Sequence, residues 1–306
     1  MMDDRIKFRH LQCFLAVAQH GSLQKASGAL AVTQPAVSKT LKELEALLAV
    51  RLFERGRRGA VLTAVGETFA RHAAASVAAL REGVASVHPA HGPVRALVTL
   101  GVLPTVAPRL IPALLRQLDA CAAGRAISLR LHTGANPTLL AQLRQGELDL
   151  VIGRFAEPAH MRGLTFEHLH ADPLVLNVRP GHPLLAVAEP LALLHSYTVM
   201  LPMPGTAIRQ SADNFLQTHS VAPLTRTVET LDVSVARGYT RASDAVWLCP
   251  LGAVAGELAD GSLVALRVPM AGTEELVGLS LRADMRLNPA QASVIAALRQ
   301  VAGFGR

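Results

Sequence analysis

The chain has 306 residues, half of them hydrophobic and 17% charged, with a formal net charge of +7. This composition excludes a disordered chain and leaves room for two or three domains, each with its own core. From Met1 to Val65 there are ten Lys/Arg against five Asp/Glu, whereas the other 241 residues carry 20 against 18. The positive surplus therefore sits near the start of the chain, where it suits a polyanion partner. Cys13, Cys121 and Cys249 lie more than a hundred residues apart and form no ligand cluster, so buried free thiols in a reducing compartment are expected. The opening MMDDRIKFRHLQ is too polar for a signal peptide, and no run of about 18 apolar residues marks a membrane span. A cytoplasmic protein without membrane contact is expected.

In chain order, Leu11, Phe14, Leu15 and Ala18 make a helical stripe that ends at His20-Gly21. Ser22 is a good N-cap for a short helix over Leu23–Leu30, and Thr33 can cap the next. Pro35 falls in that helix's first turn, where a missing N–H breaks no bond. Val37, Leu41, Leu44 and Leu48 define the buried face, so Gln34, Ser38, Lys39 and Lys42 point away from the core. A short helix, a tight turn and a helix with a small, polar, basic N-terminal end make a helix-turn-helix pattern. The alternative is two ordinary core helices with a solvated polar face. Gly28, inside the first of these helices, is expected to allow close helix packing. Leu52 to Thr63 places two short apolar segments around a Gly/Arg loop, a hairpin wing with Arg55, Arg57 and Arg58 near its tip, suited to phosphate or minor-groove contact.

The run from Phe14 to Glu67, with QPAVS, LE, LFER and LT-x-x-G in order, resembles the DNA-binding half of LysR-type transcriptional regulators. Ser27 stands where that family commonly has alanine. The resemblance implies that Gln34, Pro35, Ser38 and Lys39 are the recognition-helix positions nearest the bases and that Arg55, Arg57 and Arg58 belong to the wing. It implies a winged helix-turn-helix over 1–63, a dimerisation helix over 64–88, a hinge at 89–93 and an effector domain over 94–306. The partners it implies are double-stranded DNA, a small-molecule effector, a second copy of the chain in a homodimer and then a homotetramer, and RNA polymerase.

Thr63 can cap a long helix from Ala64 to Val87, in which Val65, Phe69, Ala73, Val77, Leu80, Val84 and Val87 step by three or four. That seam suits pairing with a second copy, or packing against the chain itself. The segment His88 to Pro93 then breaks the helix. From Val94 strands and helices alternate: strands over Arg95–Gly101, Ile127–Leu131, Leu148–Ile152, Leu174–Val178, Thr198–Leu201, Val246–Cys249 and Leu276–Leu281, with helices over Pro108–Leu118, Asn136–Gln145, Thr206–Thr218, Leu231–Arg241 and from Pro289. Repeated β-α-β units predict an α/β fold with parallel sheets and ligand sites at strand C-terminal ends.

This region resembles the LysR effector domain, two α/β subdomains like those of periplasmic binding proteins. The resemblance implies subdomain I over about 94–166 and 267–306 and subdomain II over about 167–266. GVLPTVAPRLIP, GELDLVIGRFAEP and MRGLTFEHLHADPLVLNVRPGHPL resemble regulators of protocatechuate-pathway operons and of galactose-binding-protein genes, which implies an aromatic or ring-opened carboxylic acid as effector and a role in aromatic catabolism.

Candidate effector residues lie in turns after strands: Leu103, Pro104 and Thr105; Gly134, Ala135 and Asn136; Arg154; Gly205 and Thr206; and Thr230. Thr105, Asn136 and Thr206 fall near helix N-termini, which favour anions, and each could equally be an ordinary cap. Arg154 either anchors a carboxylate or forms an internal salt bridge, with Glu157 the nearest acidic residue. His168 and His170 are read as one face of a strand edge. No nucleophile, metal or phosphate-loop signature occurs, so no cofactor, metal or catalytic residue is expected. An enzyme on two α/β lobes and a cytoplasmic solute-binding sensor remain the alternative classes, opposed by the basic N-terminal module.

Overall fold

The computed structural model describes residues 5–56, 59–86 and 96–303, and they fall into two compact units. In the first, α1 (Phe8–His20), α2 (Leu23–Ala29) and α3 (Gln34–Leu48) precede a two-stranded antiparallel sheet, β1 (Phe53–Gly56) and β2 (Gly59–Leu62), and a 23-residue helix, α4 (Ala64–Ser86). The helix starts are fixed by the expected caps. Ser22 Oγ accepts from the Lys25 amide, Thr33 Oγ1 from Ala36 and Thr63 Oγ1 from Gly66. Pro35 is the second residue of α3, where no intrahelical bond is lost.

Phe14 joins the pieces. It is fully buried, and its ring lies 5.3 Å from Phe53 of the wing and 5.1 Å, edge on, from Phe69 of α4. Glu45 accepts from the amides of Leu52 and Phe53, which fixes the route from α3 into the wing. Gly66 has a close neighbour, because a Cβ there would stand 2.1 Å from the Leu52 carbonyl oxygen. Gly28 does not: it is exposed, and nothing lies within 4 Å of its absent Cβ, so close packing does not account for it. With no contact to lose, Gly28→Ala is expected to raise the module's unfolding free energy by about 0.5–1 kcal/mol, read from denaturant melts.

The α4 seam divides. Phe69, Ala73 and Val77 are turned inward, the first two into the core shared with α1, α3 and the wing, whereas Val65, Leu80 and Val84 are exposed. Val87, the segment His88 to Pro93, Arg57 and Arg58 lie outside the described residues, and Arg55 falls on β1 opposite Ala60.

The second unit, 96–140 and 149–303 of the described residues with 141–148 belonging to the first unit, has two lobes. The chain builds the first with β3 (Ala96–Val102), α5 (Ala107–Asp119), α6 (Ala122–Arg125), β4 (Ile127–Thr133), α7 (Asn136–Gln145), β5 (Leu150–Arg154), α8 (Pro158–Met161) and β6 (Leu164–Asp172). It crosses to the second for β7 (Leu174–Val178), β8 (Thr198–Leu201), α9 (Ala207–Thr218), β9 (Arg226–Glu229), α10 (Val233–Ala242), β10 (Val246–Pro250), α11 (Ala255–Asp260) and β11 (Val264–Ala265). It returns for β12 (Glu275–Arg282) and α12 (Pro289–Gly303). The sheets run in the order β4-β3-β5-β12-β6 and β11-β7-β10-β8-β9.

Both sheets are mixed, where β-α-β repetition alone predicts parallel ones. The strands β3–β5 and β8–β10 are parallel, whereas β6, β7, β11 and β12 lie in antiparallel pairings. β7 and β12, the strands that enter a sheet from the other lobe, run against its parallel strands. The first sheet holds the chain through Asp172 and takes it back at Glu275, which moves the crossings from about 166 and 266 to 172–174 and 266–274.

Each lobe has a core of its own. In the second, Leu174, Leu176, Val199, Val246 and Leu248 from the sheet pack against Ile208, Ala212 and Phe215 of α9. Cys13 and Cys249 are buried as expected, but Cys121 is exposed beyond the end of α5.

Candidate functional site

In the first unit, Val37, Leu41 and Leu44 point into the core, while Gln34, Pro35, Lys39 and Lys42 are exposed and Ser38 is half-buried. The N-terminal half of α3 thus offers an amide, a hydroxyl and two ammonium groups away from its buried face. That is the donor set that reads base edges and grips phosphate.

In the second unit the crossing between lobes is the chemically dense region. Arg154 ends β5 and is inside the strand, not after it; the strand starts at Leu150 rather than Leu148. Gly153 is not a turn. A Cβ there would stand 2.3 Å from Asn136 Oδ1, and Asn136 Nδ2 donates to the Arg154 carbonyl. The glycine lets α7 start against β5.

The Arg154 side chain is 5% exposed. It donates to Thr105 Oγ1 at 3.0 Å and to Asp172 Oδ2 at 3.1 Å, and its Nε has no partner. Its internal salt-bridge partner is therefore Asp172, not Glu157. Asp172, at the end of β6 and 1% exposed, uses its other oxygen, Oδ1, to accept from the Gly252 amide of the second lobe at 2.8 Å. Next to it, the Leu251 amide donates to the Pro173 carbonyl, and Leu174 donates to Thr273 Oγ1.

Burial is the largest influence on both charges, raising the Asp172 carboxyl and lowering the Arg154 guanidinium, and each partner's charge opposes it. His170 is half-buried on the edge strand β6, but a register shift separates it from His168, so the two do not form the one regular face expected. His170 is pushed down to about 4 by burial and by Arg109, His168 and Arg154. Burial, and then Asp172, hold the Cys249 thiol well above its ordinary range, so it is an inert group.

Thr105 of the first lobe and Thr230, Asp232, Trp247 and Cys249 of the second line a cavity of about 10 Å³, at the lower limit for holding one water. The structure thus brings together Thr105, Arg154 and Thr230, with Leu103 and Pro104 next in the chain and Asn136 bonded to the Arg154 backbone. Thr206 caps α9, accepting from Arg209 and donating to Met203, and Gly205 is exposed at a φ of 78°. Thr230 Oγ1 accepts from the Asp232 amide. Gly134 and Ala135 precede α7 without a place in the cavity lining. Sequence reasoning missed Asp172, Gly252, Asp232 and Trp247; the Asp-Pro step at 172–173 was the one local signal of a break there. Among the described residues no group of His, Cys, Asp and Glu could hold a metal ion, and no helix is long and apolar enough to cross a membrane.

Two family models match the chain: the bacterial regulatory helix-turn-helix protein, lysR family, over residues 8–67, and the LysR substrate binding domain over residues 91–303. The HTH-type transcriptional regulator PcaQ of Agrobacterium fabrum is 41% identical over 304 residues, covering 99% of this chain and 97% of that protein. YdcI of Escherichia coli, a transcriptional regulator described as uncharacterized, is 39% identical over 99% of this chain and 98% of its own. Among solved structures, ArgP from Mycobacterium tuberculosis superposes with a TM-score of 0.65 at 18% identity, covering 97% of this chain and 98% of that one.

Proposed function

The chain belongs to the LysR family of transcriptional regulators, DNA-binding proteins controlled by small-molecule effectors, and on that footing we propose how this chain reads DNA, pairs with a second copy and selects its effector. Gln34, Pro35, Ser38 and Lys39 face the bases, and Lys42, Arg55, Arg57 and Arg58 grip phosphates. The observation that carries this is the exposed polar edge of α3 above its buried Val37, Leu41 and Leu44. Residues 1–63 are the DNA-binding domain, 64–88 the dimerisation linker, 89–93 the hinge and 94–306 the effector domain, with its lobes exchanging chain at 172–174 and 266–274. The protein works in the cytoplasm, where the DNA is, and contacts RNA polymerase there.

The dimer forms along the exposed half of α4, and contacts between effector domains extend it to a tetramer. Leu80→Asp is expected to weaken assembly and DNA binding together by about tenfold or more, ~1.4 kcal/mol, without unfolding the module. Light scattering and duplex titration read the two effects, and an unchanged assembly removes the seam. Phe69→Asp is no test of pairing, since Phe69 belongs to the module's own core.

The effector is a small aromatic or ring-opened carboxylic acid, received in the crevice between lobes at Thr105, Arg154 and Thr230, with Leu103, Pro104, Asn136, Gly205 and Thr206 around it. Arg154, a planar fork matched to a carboxylate, supports this class. Thermal-shift screening of small carboxylates against uncharged analogues tests it. A rise in the melting temperature with acids alone supports the class, and a rise only with uncharged compounds rejects it.

A further inference from the structure

Three observations converge on the crossing between the lobes. The crevice cavity has room for about one water, far too little for a six-carbon acid. The cation that would receive a carboxylate already holds one, from Asp172. That carboxylate is shared, with Oδ2 on Arg154 of β5 and Oδ1 on the Gly252 amide beyond β10, so one side chain ties a strand of the first lobe to a turn of the second. The Arg154 guanidinium also keeps an unpartnered Nε–H within its buried surroundings.

We infer that Asp172 is a built-in anion that holds Arg154 in the empty protein, and that an effector carboxylate must take its place there, opening the crevice and releasing the tie to Gly252. The inference rests on the carboxylate reading above and adds its regulation. The exchange is anion for anion, so the charge around Arg154 is conserved. The groups around the pair, Thr105 as a neutral partner of Arg154, Glu275 and His170 by their fields on Arg154, and Arg109 by its field on Asp172, need not change protonation. What the exchange alters is mechanical. Asp172 directly precedes Pro173 and Leu174, the residues that carry the chain between lobes, and both have backbone bonds there. A carboxylate that frees Asp172 from β5 therefore acts on the crossing itself, and the angle between lobes becomes linked to occupancy.

The test uses the full chain with benzoate and cis,cis-muconate as probes, one aromatic and one open-chain acid. Asp172→Asn keeps the volume and can still accept from Gly252 but no longer competes as an anion. Calorimetric titration should show it binding at least one probe about tenfold or more tighter than the wild type, while Arg154→Met binds more weakly than the wild type and the double variant loses the gain. A folded Asp172→Asn protein with unchanged or weaker affinity for both probes overturns the inference. A second reading on the wild type covers the case in which that variant does not fold: a saturating probe should speed hydrogen exchange at the Gly252 amide, and unchanged or slower exchange overturns the inference equally. The two proposals fail separately. If an acid binds the wild type and neither Asp172→Asn nor Arg154→Met alters it, the acid class of the effector stands, while Arg154 as its receiver and the built-in anion both fall. If only uncharged compounds bind and Asp172→Asn acquires no acid affinity, both fall.

Discussion

Phe14→Ala is expected to remove about 3–5 kcal/mol from the stability of the DNA-binding module, since a fully buried aromatic leaves both a transfer loss and a cavity. A domain's whole unfolding free energy is only about 5–15 kcal/mol, so the variant should be largely unfolded there near its working temperature. Phe14 is where α1, the wing strand β1 and the linker helix α4 meet through Phe53 and Phe69. Losing it frees the wing and the linker as well as the helix. Calorimetry should show the transition of the first unit fall or vanish while that of the second stays in place, with DNA affinity lost alongside. Phe14→Leu, which refills most of the volume, should recover most of both. An unshifted first transition would mean that the three elements do not share this core.

The second large effect concerns the buried ion pair. Replacing Asp172 with leucine leaves the Arg154 guanidinium buried, 5% exposed, with Thr105 as its remaining side-chain partner. Stranding a buried charge in this way destabilises by about 3–5 kcal/mol. Replacing both partners, Arg154→Met with Asp172→Leu, removes the uncompensated charge and should cost far less than the sum of the single changes. Melting curves of the two singles and the double, with attention to the second unit's transition, read the coupling directly. Additive losses would mean that the 3.1 Å contact contributes little and that each residue acts through its other bonds.

Much of this architecture is legible in the sequence because local chemistry decides it. Thr33 and Pro35 fix the start of α3, and the spacing of Val37, Leu41 and Leu44 fixes its buried face. Asn136–Gln145, Leu174–Val178 and Thr198–Leu201 fall where the apolar patterns and their flanks put them. Three strands were not placed as runs, for a physical reason. β6, LTFEHLHAD, read only as a strand edge at His168 and His170, β9, RTVE, and β11, VA, are edge strands whose half-exposed side chains remove the apolar run that marks a buried strand. The division of the α4 seam was also hidden, because a step of three or four is the same whether a helix packs on its own chain or on a copy. Val77 is buried and Val84 exposed on the same seam, and only what lies opposite separates the two.

The candidate site was less legible for the same reason. Asp172 is 18 residues from Arg154 and on another strand; β12 runs between them, with Val277 paired to Arg154 on one side and to His170 on the other. No spacing rule carries that register, so Glu157 was the nearest acid in sequence and the wrong one in space. The turn residues Thr105 and Thr230 could be placed near the crevice because strand ends define it. Gly252 acts through its amide, which a side-chain reading does not see.

The central claim is that the exposed edge of α3 reads a duplex sequence. The measurement that tests it most directly is a binding-site selection from random duplexes with the full-length protein, run side by side for wild type, Gln34→Ala and Lys39→Ala. The wild type should enrich one motif in two symmetric halves, with affinity falling steeply as salt rises. Gln34→Ala should shift the preferred bases, a loss of about 1–3 kcal/mol at the affected position, while Lys39→Ala should weaken binding more evenly across sequences. Selection of the same motif with the same discrimination by Gln34→Ala would contradict the assignment of α3 as the reading helix.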